Sequence, residues 1–212
     1  MKADVVLAGV GGQGVLSVAA ILAEAARRSG LQVKQGEIHG MSQRGGAVFA
    51  GVRLADGPIA SDLIPRGSAD LLLGLEPLEA LRYVDYLAEG GRLLVSADPM
   101  ENIPDYPPLD EVHRLIGEVP GSVLVEAAAL AKEAGSPRAA NVVMAGAATA
   151  FLPLDPDGTA ACVAEGFARK GERVVKINLQ AFEAGRHADV LEPALHIGAQ
   201  RDAYPGRFAV ND

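Results

Sequence analysis

Six residues near the amino terminus have the types and spacing of a turn that binds phosphate. Residues 9–14 read Gly-Val-Gly-Gly-Gln-Gly and match the pattern G-x-G-x-x-G, between an apolar run and a segment with helical periodicity. Glycines let a backbone approach an anion closely, and the helix that follows presents unpaired N–H groups to it. The candidate anion-binding residues are Gly9, Gly11, Gly12, Gln13 and Gly14.

The same turn allows two further interpretations. Glu37 follows at the end of the next apolar segment, where the ribose-binding carboxylate of a dinucleotide site would lie. A tight strand-to-helix packing turn that binds nothing also has this glycine spacing. Anion or nucleotide binding, a dinucleotide site and a structural turn therefore all remain open on these residues.

A second segment suited to ligand contacts runs from residue 39 to residue 46. It should leave the second strand at the same edge of the sheet as the glycine turn, where open α/β sheets bind ligands. Arg44 precedes two glycines, so its planar guanidinium would be accessible to a carboxylate or phosphate. The candidate residues of this loop are His39, Ser42, Gln43, Arg44, Gly45 and Gly46. His39 is either a proton carrier or a structural side chain.

Few other residues have the pattern of a chemical site. Cys162 is the only cysteine and four histidines are scattered, so we expect no metal site and a buried, inert thiol. Glu76 and Glu79 flank a helix start and favour its dipole rather than acid–base chemistry. Ser61 and Ser68 lack the context of a nucleophilic serine. We expect no catalytic residue in this chain alone.

Apolar runs that alternate with helical patterns must position these residues. We expect strands at residues 3–10, 31–38, 47–54, 71–75, 92–96 and 123–126, with helices at 15–29, 77–90, 126–134, 139–151, 159–169 and 174–184. We expect residues 98–121 to be mostly irregular. This alternation is typical of a three-layer α/β/α domain with a mostly parallel sheet, a mixed sheet being the alternative. We expect one domain at residues 1–185 and an extended tail at 186–212.

Composition excludes several classes of partner. The net charge is −8, which argues against nucleic acid as the main partner. Residues 5–23 are mostly apolar or small, but the glycine cluster within them disfavours a signal peptide or a spanning helix. We therefore expect a cytoplasmic protein without a membrane partner.

Three segments, in this order, resemble one enzyme family. They are residues 9–14, residues 36–48 (Gly-Glu-Ile-His-Gly-Met-Ser-Gln-Arg-Gly-Gly-Ala-Val) and residues 69–83 (Ala-Asp-Leu-Leu-Leu-Gly-Leu-Glu-Pro-Leu-Glu-Ala-Leu-Arg-Tyr). Together they resemble the gamma subunit or domain of 2-oxoacid:ferredoxin oxidoreductases, and most of all the beta subunit of the indolepyruvate enzymes. The resemblance covers about residues 3–185.

The resemblance implies CoA-dependent oxidative decarboxylation of a 2-oxoacid, with an aryl-pyruvate such as indolepyruvate as the expected substrate. Such a complex uses thiamine diphosphate, Mg, iron–sulfur clusters and CoA, and passes electrons to ferredoxin. This chain has neither a thiamine-binding signature nor the cysteines for a cluster, so the resemblance implies a partner subunit that carries both. The loop with Arg44 would face that partner or CoA. A stand-alone nucleotide-binding protein and a purely structural subunit are the alternatives.

Overall fold

A computed structural model describes residues 1–39 and 45–190 of the chain. Its centre is one six-stranded sheet in the order β2-β3-β1-β4-β5-β6. The strands are β1 (Lys2–Val10), β2 (Gln32–His39), β3 (Ala47–Ala55), β4 (Ala69–Gly74), β5 (Leu87–Ser96) and β6 (Ser122–Val125). β1 lies inside the sheet and is buried on both faces from Ala3 to Val10, which explains its continuous apolar sequence.

Helices cover both faces, which confirms the three-layer α/β fold. The helices are α1 (Val15–Arg28), α2 (Pro77–Arg82), α3 (Leu109–Gly117), α4 (Ala127–Glu133), α5 (Ala140–Ala148), α6 (Pro156–Phe167) and α7 (Glu172–Arg186). The core on one face joins Val5 and Leu7 of β1 to buried residues of α1, α4, α5, α6 and α7. The smaller core on the other face joins Val6 and Ala8 of β1 to α2 and α3.

The sheet is mixed, the alternative that the strand pattern allowed. β1, β4, β5 and β6 are parallel neighbours. β3 is antiparallel to both β1 and β2. Only residues 40–46 connect β2 to β3, and a parallel pair would need a crossover of a dozen or more residues.

Two expectations about the middle of the chain were wrong. The helix expected at residues 77–90 ends at Arg82, and Leu87, which lies within that expected helix, instead begins β5. Tyr83 and Tyr86 pack their rings on Phe49 of β3, with ring centroids 5.0 and 5.2 Å apart. These tertiary contacts hold the chain beside the sheet and override the helical pattern.

Residues 98–121 are also more regular than expected, because they contain α3. Val112 and Ile116 are buried one helical turn apart on its inner face. The prolines of this region precede and follow α3 without interrupting it, so their number alone was a misleading signal.

The strand order creates a crevice at the carboxyl edge of the sheet. After β1 the chain passes through α1 on one face, whereas after β4 it passes through α2 on the other. Ligands of open α/β sheets bind outside the strand ends where two connections diverge in this way.

No helix within the described residues combines the length and the apolar character needed to cross a bilayer. The division into a domain at residues 1–185 and a tail at 186–212 stays a prediction, since residues 191–212 lie outside the described part of the chain.

Candidate ligand site at the carboxyl edge of the sheet

The glycine turn joins β1 to α1 as the sequence predicted. Gly12 and Gly14 have φ values of +109° and +84°, which glycine adopts far more readily than residues with a side chain. Gly14 is the N-cap of α1, and no side chain caps the helix there. The first N–H groups of α1 thus lack intrahelical partners and a side-chain cap.

Packing explains two of the glycines but not Gly12. A Cβ atom on Gly9 would lie 2.9 Å from both the Gln13 Oε1 and a methyl of Val15, and one on Gly14 would lie 2.5 Å from the Asn141 Nδ2. A Cβ on Gly12 would meet nothing within 4 Å. The structural interpretation of the turn therefore accounts for Gly9 and Gly14, whereas Gly12 borders open space.

The side chain of Gln13 ties two strand ends together. Its Oε1 accepts from the Val10 N–H at 2.8 Å, and its Nε2 donates to the Leu75 carbonyl at 2.9 Å. The amide thus joins the end of β1 to the segment after β4. Both polar atoms of Gln13 are engaged within the fold.

The loop of residues 39–46 meets the glycine turn at its base. The Gly11 N–H donates to the Gly46 carbonyl at 2.8 Å, and the Gly45 N–H donates to the Gly11 carbonyl at 3.3 Å. His39 ends β2 in register with Val48. Of the other candidates, Ser42, Gln43 and Arg44 lie outside the described residues. The described ends of the loop nevertheless put its base beside the turn, as the position of β2 predicted.

A cavity of about 470 Å³ opens at this edge. Gly12 and Gln13 line it from the glycine turn, residues 98–100 from the segment after β5, and residues 137–144 from the start of α5. Neither of the latter segments was predicted from the sequence. Residues 98–100 follow β5, which was a weak positional signal, whereas residues 137–144 follow α4, and neither segment has a recognisable motif.

Two charged residues, Asp98 and Arg138, line the cavity. The Asp98 carboxylate accepts from the Ala128 N–H at 2.7 Å and from the Ser96 hydroxyl at 3.2 Å, so it stabilises the start of α4. Arg138 lines the cavity with an exposed side chain. Its guanidinium is a group that attracts an anion, and the cavity borders the glycine turn that leads into α1.

A buried carboxylate holds the outer wall of the cavity. Glu76, only 1% exposed, accepts from the Glu79 N–H at 2.7 Å, from the Met100 N–H at 3.4 Å and from the Tyr106 hydroxyl. Burial, together with the Glu76 carboxylate, raises the pKa of Tyr106. Glu76 thus caps α2, as its position at a helix start predicted, and also fastens the segment after β5.

Glu79 is buried beside Glu76 with less support. Its Oε2 has no hydrogen-bond partner within the described residues, and its Oε1 lies 3.5 Å from the Arg82 Nε. Burial and the negative charge of Glu76 raise the pKa of Glu79, against the opposing charge of Arg82.

Comparison with known proteins assigns the family. Residues 4–188 match the family described as pyruvate ferredoxin/flavodoxin oxidoreductase. The chain belongs to this family. It is 38% identical to the indolepyruvate oxidoreductase subunit IorB of Thermococcus kodakarensis over 192 residues, which cover 86% of this chain and 93% of the relative. The corresponding subunit of Archaeoglobus fulgidus is 37% identical, with 87% and 94% covered.

Other members contain the same module within a longer chain. The ketoisovalerate oxidoreductase subunit VorA of Methanothermobacter thermautotrophicus is 30% identical over 84% of this chain but only 35% of its own length. A 2-oxoglutarate:ferredoxin oxidoreductase from Magnetococcus marinus, with 2-oxoglutarate, coenzyme A and succinyl-CoA bound, shares the fold at a TM-score of 0.72 and 22% identity. The match covers 91% of this chain and 32% of the Magnetococcus marinus chain.

A gamma subunit shows the same fold as a separate chain. The keto/oxoacid ferredoxin oxidoreductase gamma subunit of Geobacter sulfurreducens matches with a TM-score of 0.66 and 28% identity, over 87% of this chain and 94% of that one. The family resemblance predicted from three short segments is therefore confirmed.

The remaining predicted residues of this oxidoreductase family member have structural roles. Burial raises the pKa of the Cys162 thiol, which is buried between α1 and α6, so it is not a reactive thiolate. Asp155 caps α6 by accepting from the Gly158 N–H at 2.8 Å. The Ser61 hydroxyl accepts from the Leu63 N–H at 3.1 Å. None of these three residues belongs to the cavity.

Proposed function

We propose that this chain is a subunit without redox centres in a cytoplasmic 2-oxoacid:ferredoxin oxidoreductase that acts on an aryl-pyruvate such as indolepyruvate. Its partner subunit carries thiamine diphosphate, Mg and iron–sulfur clusters, and the complex passes electrons to ferredoxin. The observation that carries this proposal is the 38% identity to an indolepyruvate oxidoreductase subunit across 93% of that subunit's length. The module's occurrence in ketoisovalerate and 2-oxoglutarate enzymes supports the broader reaction class.

The chain's own residues do not fit the cofactors of that reaction. An iron–sulfur cluster takes four cysteine ligands in most proteins, and this chain has one cysteine, which is buried. Within residues 1–39 and 45–190, no three metal-binding side chains come together. We therefore assign the thiamine diphosphate, the Mg and the clusters to the partner subunit.

The residues do fit an anionic group such as the phosphates of CoA. The cavity at the carboxyl edge combines the open side of Gly12 with the exposed side chain of Arg138, beside the turn that leads into α1. Arg44 belongs to the loop whose base is hydrogen-bonded to the glycine turn. CoA is bound in the structure of a protein with the same fold. We propose that these residues bind and orient CoA, so that its thiol reaches the partner's reaction centre.

Purification of the complex tests the subunit assignment. A tagged copy of the chain, expressed in the organism that encodes it, should co-purify with a second chain. That second chain should contain thiamine diphosphate and show iron–sulfur absorbance. The isolated chain should be colourless, and only the pair should oxidise indolepyruvate with CoA and ferredoxin. Turnover by the isolated chain, or iron–sulfur absorbance in it, would contradict the assignment.

Arginine variants test the CoA assignment within the complex. A charge-assisted contact contributes about 1.5–3 kcal/mol, so Arg44→Ala or Arg138→Ala should raise the Kd for CoA about ten- to hundred-fold. Arg44→Lys should recover only part of this loss, because an ammonium lacks the guanidinium's two-pronged geometry. Arg114→Ala, on the exposed side of α3, is the matched control.

The outcomes separate the alternatives. If both alanine variants keep wild-type CoA affinity but weaken assembly, the chain is a structural subunit. If the isolated chain binds a nucleotide and brings down no partner, it is a stand-alone nucleotide-binding protein.

A further inference from the structure

One face of the sheet is covered by helices along only part of its width. On the side of the smaller core, α2 and α3 pack over β1, β4, β5 and β6. Within residues 1–39 and 45–190, neither α2 nor α3 packs substantially on β2 or β3, although α1 covers these strands on the opposite face. The cover on this side comes from residues 61–64, which cross β2 and β3 as an irregular segment.

Glycines fix where that segment lies. Gly36 of β2 and Gly51 of β3 are directly paired. A Cβ on Gly36 would lie 3.6 Å from the Asp62 carboxylate, and one on Gly51 would lie 3.2 Å from the Ile64 side chain. The segment is held there by Arg53, whose guanidinium donates to the carbonyls of residues 61 and 63 at 3.1 and 2.8 Å. The segment therefore lies over the Gly36–Gly51 pair and is bonded to the neighbouring Lys34–Arg53 pair.

An apolar surface begins at the next pair on the same face. Ile38 is paired with Phe49, and directly paired residues of antiparallel strands lie on the same face. Ile38 is 63% exposed, and Leu63, on the covering segment, is 67% exposed. The rings of Tyr83 and Tyr86 pack against the ring of Phe49. We call this surface the β2 face, made of Ile38, Phe49, Leu63, Tyr83 and Tyr86.

The β2 face continues into an open strand edge. β2 is the last strand of the described sheet and pairs with β3 through eight consecutive positions without a bulge. It contains no proline. Lys34, a residue type that often protects such edges, instead donates to the Ala60 carbonyl at 3.3 Å. A strand edge that the described residues leave without a partner, beside exposed apolar residues, is typical of an interface with another polypeptide.

The relatives indicate which polypeptide covers this surface. The module is a nearly complete chain in the indolepyruvate subunits but only 35% of the ketoisovalerate subunit VorA. A module that is joined covalently to a larger neighbour in one relative needs a noncovalent interface where it is a separate chain. This step rests on the proposed function. We infer that the β2 face binds the partner subunit that carries thiamine diphosphate.

Substitutions at the two most exposed positions test this inference in the complex. Ile38→Asp and Leu63→Asp should each raise the Kd of subunit association at least ten-fold, because a carboxylate would be buried against an apolar partner. Both side chains are exposed in the isolated chain, so its melting temperature should stay unchanged. Ala161→Asp, on the exposed side of α6, is the matched control and should change the Kd less than two-fold.

Cross-linking identifies the occupant directly. A benzoylphenylalanine at position 38 or 63 of the intact complex should cross-link to the thiamine-bearing chain, and one at position 161 should not. Cross-links between two copies of this chain, or a cross-link from position 161 alone, would overturn the inference. A wild-type chain that purifies without a thiamine-bearing partner overturns the proposed function as well. A wild-type complex that both aspartate variants leave intact overturns the β2 face alone.

Discussion

At the amino edge of the sheet the charged side chains pair with one another, whereas at the carboxyl edge the side chain of Arg138 borders a cavity. Asp4, fully buried at the amino edge, accepts from Arg53 at 2.8 and 3.0 Å and pairs with Lys2 at 2.7 Å. The cavity beside this cluster is only about 220 Å³. At the carboxyl edge, the guanidinium of Arg138 and the space beside Gly12 face a cavity about twice as large.

The difference shows how to separate structural from functional polar residues in this fold. The amino edge uses Arg53 to join β1, β3 and the segment of residues 61–64, so its charges stabilise the protein. At the carboxyl edge, Gln13, Glu76 and Asp98 are likewise occupied by hydrogen bonds within the fold. The proposed ligand would therefore contact Gly12 and Arg138, which border the cavity. A motif or a charge near a cavity is thus a weaker guide than the bonds that its side chain already makes.

The largest expected effect is at the amino edge. Asp4→Ala should lower the free energy of unfolding by about 3–5 kcal/mol, because it leaves the buried end of Arg53 without its partner. Asp98→Ala, the matched change at the carboxyl edge, removes a bond to the start of α4 and should cost about 1 kcal/mol. Urea denaturation of both variants measures the difference, and equal losses would contradict the proposed contrast between the edges.

Acid unfolding provides a check on the same residue. Burial raises the pKa of Asp4, but the hydrogen bonds and charges of Arg53 and Lys2 outweigh it and leave the pKa below its ordinary 3.8. Because the folded pKa is the lower one, this carboxylate stabilises the protein above about pH 4, and the stabilisation disappears as the pH falls through the folded pKa. Asp4→Ala should lack this part of the acid dependence.

The second prediction separates packing from ligand binding within the glycine turn. Gly14→Ala should cost about 1–2 kcal/mol for its positive φ and about 1–3 kcal/mol for its contact with Asn141. Gly12→Ala should cost only about 1–2 kcal/mol for its positive φ, since nothing lies within 4 Å of the new methyl. In the complex, however, Gly12→Ala should weaken CoA binding, because the methyl points into the space that the phosphate would use. Thermal unfolding and CoA titration distinguish the two variants, and normal CoA binding by Gly12→Ala would leave the turn purely structural.

These contrasts also show which parts of the fold and site were predictable from the sequence. The apolar runs of β1 and β4 and the glycines between β1 and α1 are local signals, so these elements and the turn were placed correctly. The end of α2 was not, because Tyr83 and Tyr86 are held by Phe49, a residue distant in sequence. Arg138 and Asn141 reach the cavity only through the packing of α5 against the sheet, which no local pattern encodes. The roles of Gln13 and Glu76 depend on contacts with Leu75, Met100 and Tyr106, which no local sequence pattern predicts.

The third prediction concerns the wall of the cavity. Tyr106→Phe removes a hydrogen bond to a buried carboxylate and should lower the free energy of unfolding by about 1.5–3 kcal/mol. The change should also loosen residues 98–106, since Glu76 fastens that segment through Tyr106 and Met100. Hydrogen exchange should therefore increase there while the amino edge stays protected. Tyr83→Phe is the control, and a Tyr106→Phe variant as stable as the wild type would show that the ring, not the hydroxyl, provides the stability.

The smallest effect distinguishes the two edges by the sign of their pH dependence. The folded pKa of Glu79 lies above its ordinary 4.5, so the wild-type protein loses stability as the pH rises through that pKa, opposite to the behaviour of Asp4. Glu79→Gln keeps a neutral side chain at every pH, so its stability relative to the wild type should increase as the pH rises from 4 to 8. Urea denaturation of both proteins from pH 4 to pH 8 checks this, and a Glu79→Gln variant that loses stability relative to the wild type as the pH rises would show that the Arg82 ion pair outweighs the burial of Glu79.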